Sequence, residues 1–166
     1  PVVCVDVDPV VLDLGVTPQR VLTKIPTGKN PVSVLVAPTG QRAVVANLTN
    51  NTVTVLDLAN PAAPSLRMNV PVGVQPSAMA VNPRNPDLVY VANVGSSFFS
   101  VVDLSKDQSS ALIGVVQMGT PSSGIQVSSD ATRLFVTEFK KQANLRTYDL
   151  TNFPLDPSPR IDIPGE

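Results

Sequence analysis

The sequence predicts an all-β protein, a β-propeller of about four blades, on three observations. Short β-prone segments recur with a period near 46 residues, and each is bounded by Pro, Gly, Asn, Asp or Ser. No window carries the apolar spacing of a long amphipathic helix. The 166 residues include 17 prolines, which would interrupt most helices but are tolerated in connections between strands.

The repeat is visible in three registers of the chain. Glycines that precede a proline by two or three residues stand 45 and 46 residues apart, at Gly28, Gly73 and Gly119. Asp-Leu pairs recur 46 residues apart, beginning at Asp57, Asp103 and Asp149. Between these markers lies a β-prone tetrad at residues 44–47, 90–93 and 135–138. Four short antiparallel strands per period match one propeller blade, whereas a β-sandwich has no reason to repeat its turns at a fixed spacing.

The repeat divides residues 1–166, a single propeller segment, into blades of about 1–27, 28–72, 73–118 and 119–166. The first blade lacks its first strand, which leaves fifteen predicted strands. Because an open ring exposes apolar side chains of its end blades, the ring must be closed in some way. We expect a portion of a larger propeller; a four-bladed ring and a ring completed by a second chain are the other two possibilities.

The composition of the chain excludes several kinds of catalytic and metal-binding site. It contains no histidine, so these residues cannot form a Ser-His-Asp triad, a Cys-His pair or an imidazole metal site. Cys4 is the only cysteine, which excludes an intrachain disulfide. A net charge of −1 argues against nucleic acid as a partner, and no apolar run reaches the length of a membrane span. We therefore predict no catalytic, cofactor-binding or metal-binding residues in this chain.

Two of the tetrads carry a family resemblance. Val44-Val45-Ala46-Asn47 and Tyr90-Val91-Ala92-Asn93, with the Asn-Thr-Val-Thr-Val-Leu-Asp-Leu run at 51–58, resemble the YVTN family of β-propeller repeats. The third unit departs from that pattern, because it reads Phe135-Val136-Thr137-Glu138. The resemblance covers residues 28–166 and implies a propeller at the cell surface, in the periplasm or secreted. It is weak for function, since one fold serves many activities.

Propeller ligands usually sit where the loops between strands four and one meet the loops between strands two and three. Those loops are predicted at 26–31, 71–76 and 117–123, and at 47–51, 93–98 and 138–144. Their polar side chains suit hydrogen bonding to a peptide or a glycan, and they are also typical of ordinary solvated turns. The candidate binding residues are Lys29, Asn30, Asn50, Asn51, Gln75, Ser96, Ser97, Ser122, Ser123, Lys140 and Lys141.

The aspartates of the three Asp-Leu pairs recur at one position of the repeat, so they could be mistaken for a carboxylate cluster. A residue that recurs in every blade is expected to serve a structural turn or a hydrogen bond between blades, because catalysis needs one site and structure needs many. We therefore predict structural roles for Asp57, Asp103 and Asp149.

Two classes of function follow. The first is a non-catalytic, extracytoplasmic binding or structural scaffold that holds a protein, a cell-envelope polymer or copies of itself through loops on one face. The second is a portion of a propeller enzyme, either a lactonase-like hydrolase or a cofactor-linked oxidoreductase, with its catalytic residues outside this segment. We predict the first, with no enzyme activity and no cofactor.

Overall fold

The computed structural model of the chain describes residues 2–5, 8–13, 20–60, 62–139, 144–151 and 160–163. These residues form fifteen strands and no helix, which confirms the predicted all-β class. No helix within them is long and apolar enough to cross a membrane.

The strands form four antiparallel sheets, which we name A to D in chain order. Sheet A contains β1 (Val2–Val5), β2 (Asp8–Asp13) and β3 (Arg20–Lys24). Sheet B contains β4 (Pro31–Val36), β5 (Arg42–Asn47), β6 (Thr52–Asp57) and β7 (Ser65–Pro71). Sheet C contains β8 (Pro76–Asn82), β9 (Asn85–Asn93), β10 (Phe98–Asp103) and β11 (Leu112–Gln117). Sheet D contains β12 (Ser122–Val127), β13 (Arg133–Glu138), β14 (Leu145–Asp149) and β15 (Arg160–Ile163).

In each sheet the strands lie side by side in chain order, so each is an up-and-down blade. The first strands of successive four-stranded sheets contact each other, β4 with β8 and β8 with β12. These strands are therefore the inner ones, and the fourth strands lie at the outer edge. Sheet A contacts sheet B through β1, so its innermost described strand is a second strand, as the repeat predicts.

The core lies between the sheets rather than within one of them. Val44 and Val55 of sheet B pack in one cluster with Val91 of sheet C. On its other face, sheet C contributes Tyr90 and Phe99 to a second cluster, which is shared with sheet D. Strands buried on both faces read as continuous apolar runs, which explains why the tetrads show little polar alternation.

Polar contacts also join neighbouring sheets at the end of the sheets where the loops between strands one and two lie. Arg42 of sheet B forms an ion pair with Asp87 of sheet C. Its Nη1 also donates to the carbonyl oxygen of Leu104 at 3.1 Å. The corresponding turn of sheet C is short: Asn82 Oδ1 accepts the N–H of Arg84 at 2.9 Å, and β9 begins at Asn85.

Phe99 should be among the most sensitive core positions. Its ring makes edge contacts with Tyr90 of its own sheet at a centroid distance of 6.5 Å and with Tyr148 of sheet D at 5.4 Å. We expect Phe99→Ala to lower the free energy of unfolding by about 3–5 kcal/mol and Phe99→Leu by about 1 kcal/mol, measured by urea denaturation. The exposed Phe139 is the matched control, and Phe139→Ala should change it by less than about 0.5 kcal/mol. Equal effects of Phe99→Ala and Phe139→Ala would contradict this packing.

Candidate functional site

The two predicted sets of loops meet on one face of the molecule. In sheet B the N–H of Leu48 donates to the carbonyl oxygen of Asn30 at 2.9 Å. The same bond recurs in sheet C from Val94 to Gln75 at 3.0 Å. In sheet D it runs from Phe139 to Pro121 at 2.8 Å. We call the surface formed by residues 25–30, 48–51, 72–75, 94–97, 118–121 and 139 the mouth face.

A left-handed residue precedes each inner strand at this face. Asn30 and Gln75 have φ values of 57° and 55°, and each stands directly before the proline that begins its strand. The connection into sheet D is as long as the one into sheet C, but its proline, Pro121, stands one position before the strand, and the positive φ of 77° falls on Gly119. An L residue with a side chain adopts this conformation at a cost of about 1–2 kcal/mol. The loop carbonyls are thereby aimed at the N–H groups described above.

Buried asparagines support the mouth face from below. Asn47 and Asn93 end the second strands of sheets B and C, and both are fully buried. The Nδ2 of Asn93 donates to the carbonyl oxygen of Phe98 and to Ser100 Oγ, both at 3.1 Å. The Nδ2 of Asn47 donates to Thr54 Oγ1 at 2.8 Å. Each amide therefore ties the loop between strands two and three to the strand that follows it.

The glycines of the repeat are required by these amides. A Cβ atom at Gly73 would lie 2.5 Å from Asn93 Cγ, and one at Gly28 would lie 2.7 Å from Asn47 Cγ. Such contacts leave no room for any side chain. The Gly-x-x-Pro spacing in sheets B and C is thus explained by close approach to a buried asparagine.

Sheet D replaces the asparagine by a buried ion pair. Glu138 occupies the same register, and its Oε1 accepts the Nε of Arg146 at 2.6 Å and the hydroxyl of Thr120 at 2.8 Å. The exposed fractions of Glu138 and Arg146 are only 2% and 9%. A charge this deep is tolerated when its partner and hydrogen bonds accompany it. The third tetrad thus ends in Glu138 where the other two end in asparagine, and Arg146 on the next strand balances its charge.

Several predicted binding residues use their side chains to build the loops. Asn50 Oδ1 accepts the N–H of Lys29 at 2.6 Å, and Asn51 Oδ1 accepts that of Gln75 at 2.9 Å. Ser96 Oγ accepts the N–H of Val74 at 2.8 Å. These contacts hold neighbouring loops together at the exposed surface, so each acceptor oxygen is already used by a backbone N–H.

The two serines of β12 also make contacts within the protein. Ser122 is fully buried, and its Oγ accepts the N–H of Asn93 at 3.0 Å. Ser123 Oγ lies 3.0 Å from Thr137 Oγ1. The structure therefore places both residues at the start of the inner strand, where they join strands and sheets.

Five predicted residues are exposed on the mouth face, namely Lys29, Asn30, Asn50, Gln75 and Ser97. The side chain of Asn50 also accepts the N–H of Lys29. Lys140 and Lys141 lie outside the described residues. Sequence reasoning missed two exposed apolar side chains on the same face, Val74 (47% exposed) and Phe139 (62% exposed). The sequence did contain a signal for these two residues, because each is an apolar residue in a turn segment that is otherwise polar.

The recurrent aspartates lie at the opposite end of the sheets and close turns. The Oδ1 of Asp57 accepts the N–H of Ala59 at 2.8 Å, that of Asp103 accepts Ser105 at 2.9 Å, and that of Asp149 accepts Thr151 at 2.7 Å. This is the Asx-turn pattern, in which a side chain bonds to the backbone two residues on. The prediction that these carboxylates are structural is confirmed. The hydroxyl of Thr151 also holds the pKa of Asp149 below its ordinary value.

A surface hollow of about 580 Å³ lies between sheets B and C at their outer rim. Pro71 of β7 and Leu112 of β11 line it together with Asp107, Gln108 and Ser109. It contains none of the predicted binding residues.

These features define a class of protein, a partial β-propeller with one face built from converging loops, and comparison with solved structures gives the same fold. The dihydro-heme d1 dehydrogenase NirN in complex with DHE matches with a TM-score of 0.75 and 17% identity, over 96% of this chain and 33% of that chain. The β-propeller domain of Myceliophteria thermophila Cps50 (Swd1) matches with a TM-score of 0.60 and 15% identity, over 83% of this chain and 38% of that chain. The predicted propeller is confirmed.

A third solved structure has a higher sequence identity. Kuenenia stuttgartiensis hydrazine synthase matches with a TM-score of 0.63 and 27% identity, over 76% of this chain and 34% of that chain. The chain thus spans between 33% and 38% of the length of these three proteins. No family model matches the chain, and no curated protein matches it. Membership of the YVTN family therefore stays a prediction.

Replacing Gly73 tests the support of the mouth face. Because Asn93 is held by its hydrogen bonds, it cannot retreat from a new methyl group. We expect Gly73→Ala to lower the free energy of unfolding by about 1–3 kcal/mol in urea denaturation. The neighbouring Val74→Ala, at an exposed position, should change it by less than about 0.5 kcal/mol. A Gly73→Ala protein as stable as the parent would show that the glycine is not needed for this contact.

Asp130 should titrate abnormally. Hydrogen bonds from the hydroxyl of Ser128, and then from the N–H and hydroxyl of Thr132, lower the pKa of Asp130 from 3.8 to about 2. Because the folded pKa is lowered, its contribution to stability is present above pH 3.8 and is lost as the pH falls toward about 2. NMR titration of the carboxyl carbon should give this value and show it rise in Ser128→Ala. Ser129→Ala, next in the same turn, should leave it unchanged, and an ordinary pKa in the parent protein would refute the assignment.

Proposed function

We propose that this protein is a non-catalytic β-propeller scaffold that engages a partner through its mouth face. The observation that carries the proposal is the convergence of loops from three successive sheets on one surface, with the exposed polar side chains of Lys29, Asn30, Gln75 and Ser97. Rigid strands beneath variable loops are suited to binding, because the frame holds the loops in place while their side chains differ.

The chemistry of the mouth face favours a partner that offers both hydrogen bonds and apolar surface. Amide and hydroxyl groups are accompanied by the exposed side chains of Val74 and Phe139. Aromatic residues surrounded by polar groups are common in protein interfaces. We propose a protein or a cell-envelope polymer as the partner. The resemblance to YVTN repeats supports an extracytoplasmic location.

The left-handed residues hold the loops of the mouth face in one conformation before a partner binds. Asn30 and Gln75 hold fixed conformations because their carbonyl oxygens are bonded to the neighbouring loop. A loop that is ordered before binding loses less conformational entropy when the partner arrives. The bonds that occupy Asn50, Asn51 and Ser96 thus serve binding indirectly, by holding the exposed residues in place.

Paired surface variants test this proposal. We expect Lys29→Ala, Asn30→Gly, Gln75→Gly and Ser97→Ala together to weaken binding about tenfold or more, since they remove the exposed polar groups of the mouth face. Glycine is chosen at the two left-handed positions so that the backbone is preserved. Binding to solubilised envelope proteins and to purified wall polymer would be measured by biolayer interferometry with the immobilised chain.

The control carries Thr39→Ala, Gln41→Ala, Arg84→Ala and Lys106→Ala, all exposed positions in turns at the opposite end of the sheets. It should bind as the parent does, and both variants should keep the parent melting temperature within a few degrees. Absence of binding by the parent, or equal binding by the mouth-face variant, would overturn the proposal.

A second candidate is a portion of a propeller enzyme. It is favoured by the names of two similar structures, a dihydro-heme d1 dehydrogenase and a hydrazine synthase, of which the chain spans 33% and 34%. Catalytic residues would then lie outside these 166 residues. The visible absorption spectrum of the native protein discriminates between the two candidates, since a haem Soret band would support the enzyme and count against the scaffold.

A further inference from the structure

The outer edge of sheet C is open for pairing. The strand order of this sheet ends at β11, and within the described residues no strand pairs with its outer side. An edge strand presents a row of N–H and C=O groups that can pair with another chain. Proteins usually block such edges with charges, prolines or covering segments.

The outer edge of sheet B shows how this protein blocks an edge. β7 carries the exposed cation Arg67 at its centre and ends at Pro71, which has no N–H. The side chain of Gln108, from the neighbouring sheet, accepts the N–H of Asn69 at 3.4 Å. Three separate features therefore oppose the addition of a strand to β7.

Within the described residues β11 has no cation, no proline and no covering hydrogen bond, although a β-bulge at Ile113 interrupts its pairing with β10. Its sequence, Leu-Ile-Gly-Val-Val-Gln, contains no charged residue and no proline. Leu112 is 40% exposed and Val115 is 45% exposed. An uncharged, apolar and uncovered edge strand is a typical site for pairing between chains.

The composition of β11 also indicates what would pair with it. It offers main-chain hydrogen bonds and aliphatic side chains but no charge, so it fits another uncharged β-prone edge. β11 of a second copy is such an edge. Antiparallel pairing about a two-fold axis at Val115 would place Val115 opposite itself and Gly114 opposite Val116, in the part of β11 that follows its β-bulge at Ile113.

The charged residues next to the strand are compatible with the antiparallel direction. Lys106 and Asp107 lie in the exposed loop that precedes β11, whereas Met118, Gly119 and Thr120 follow it. Antiparallel pairing places the two loops at opposite ends of the interface, so like charges do not meet.

We propose that two copies of this chain associate through antiparallel pairing of their β11 strands, which would join the two copies of sheet C into one sheet of eight strands. Such an interface is isologous and closes after two copies. It uses the rim of the propeller and leaves the mouth face free.

Analytical ultracentrifugation of the full chain over a range of concentrations tests the proposal. We expect a reversible dimer with twice the 17.5 kDa chain mass. Val115→Lys would place two like charges opposite each other, and the dimer should weaken about tenfold or more. An equimolar mixture of the Val115→Lys and Val115→Glu proteins should recover a dimer, because the charges across the axis become opposite.

Leu66→Lys is the matched control, because Leu66 is 44% exposed on the outer strand of sheet B. It should leave the dimer unchanged, and circular dichroism should show that all variants are folded. A monomeric parent, a dimer that withstands Val115→Lys, or assembly beyond two copies would overturn the proposal. The mouth-face variant should still dimerise, and Val115→Lys should still bind the mouth-face partner, so the two proposals fail separately.

Discussion

The structure depends on the need of each sheet to bury both of its faces. Sheet C shows this requirement clearly: Val89 and Val91 pack against sheet B, and the alternate residues Tyr90 and Ala92 pack against sheet D. The hydrophobic contribution of such a strand is realised only when a neighbour covers each side. The sheets therefore stabilise one another, and the radial arrangement of blades follows from that mutual dependence.

Stacking sheets in one orientation brings equivalent loops to the same end, and this produces a mouth face from residues far apart in sequence. Beneath it, a buried amide in sheets B and C performs the task that the Glu138–Arg146 ion pair performs in sheet D. In all three sheets a buried polar side chain at the end of the second strand supports the loop, although an amide does so in two of them and a carboxylate in the third. A repeat can therefore change its most characteristic residue, provided that a neighbouring strand supplies the new partner.

The two proposed surfaces use different kinds of interaction. The mouth face offers side-chain hydrogen bonds around Lys29 and Gln75 with nearby apolar groups, whereas β11 offers main-chain bonds along a neutral edge. They lie at different places on the blade, one on the loops and the other on the outer strand. A dimer formed through the rim would present two mouth faces, and two linked sites bind a multivalent partner more tightly than one.

The sequence by itself determined the all-β class and the propeller repeat, because β-prone segments, turn residues and a fixed period can be recognised along the chain without knowing which residues pack together. It also marked Asn50, Asn51, Ser96 and Ser122 as polar loop residues. Only the tertiary structure decided how these side chains are used, since each accepts an N–H from a residue 21 to 29 positions away. Likewise, nothing local to Glu138 or Gly73 reveals that the first requires Arg146 and the second makes room for Asn93. Such pairings arise when strands and loops pack, and packing depends on the whole fold.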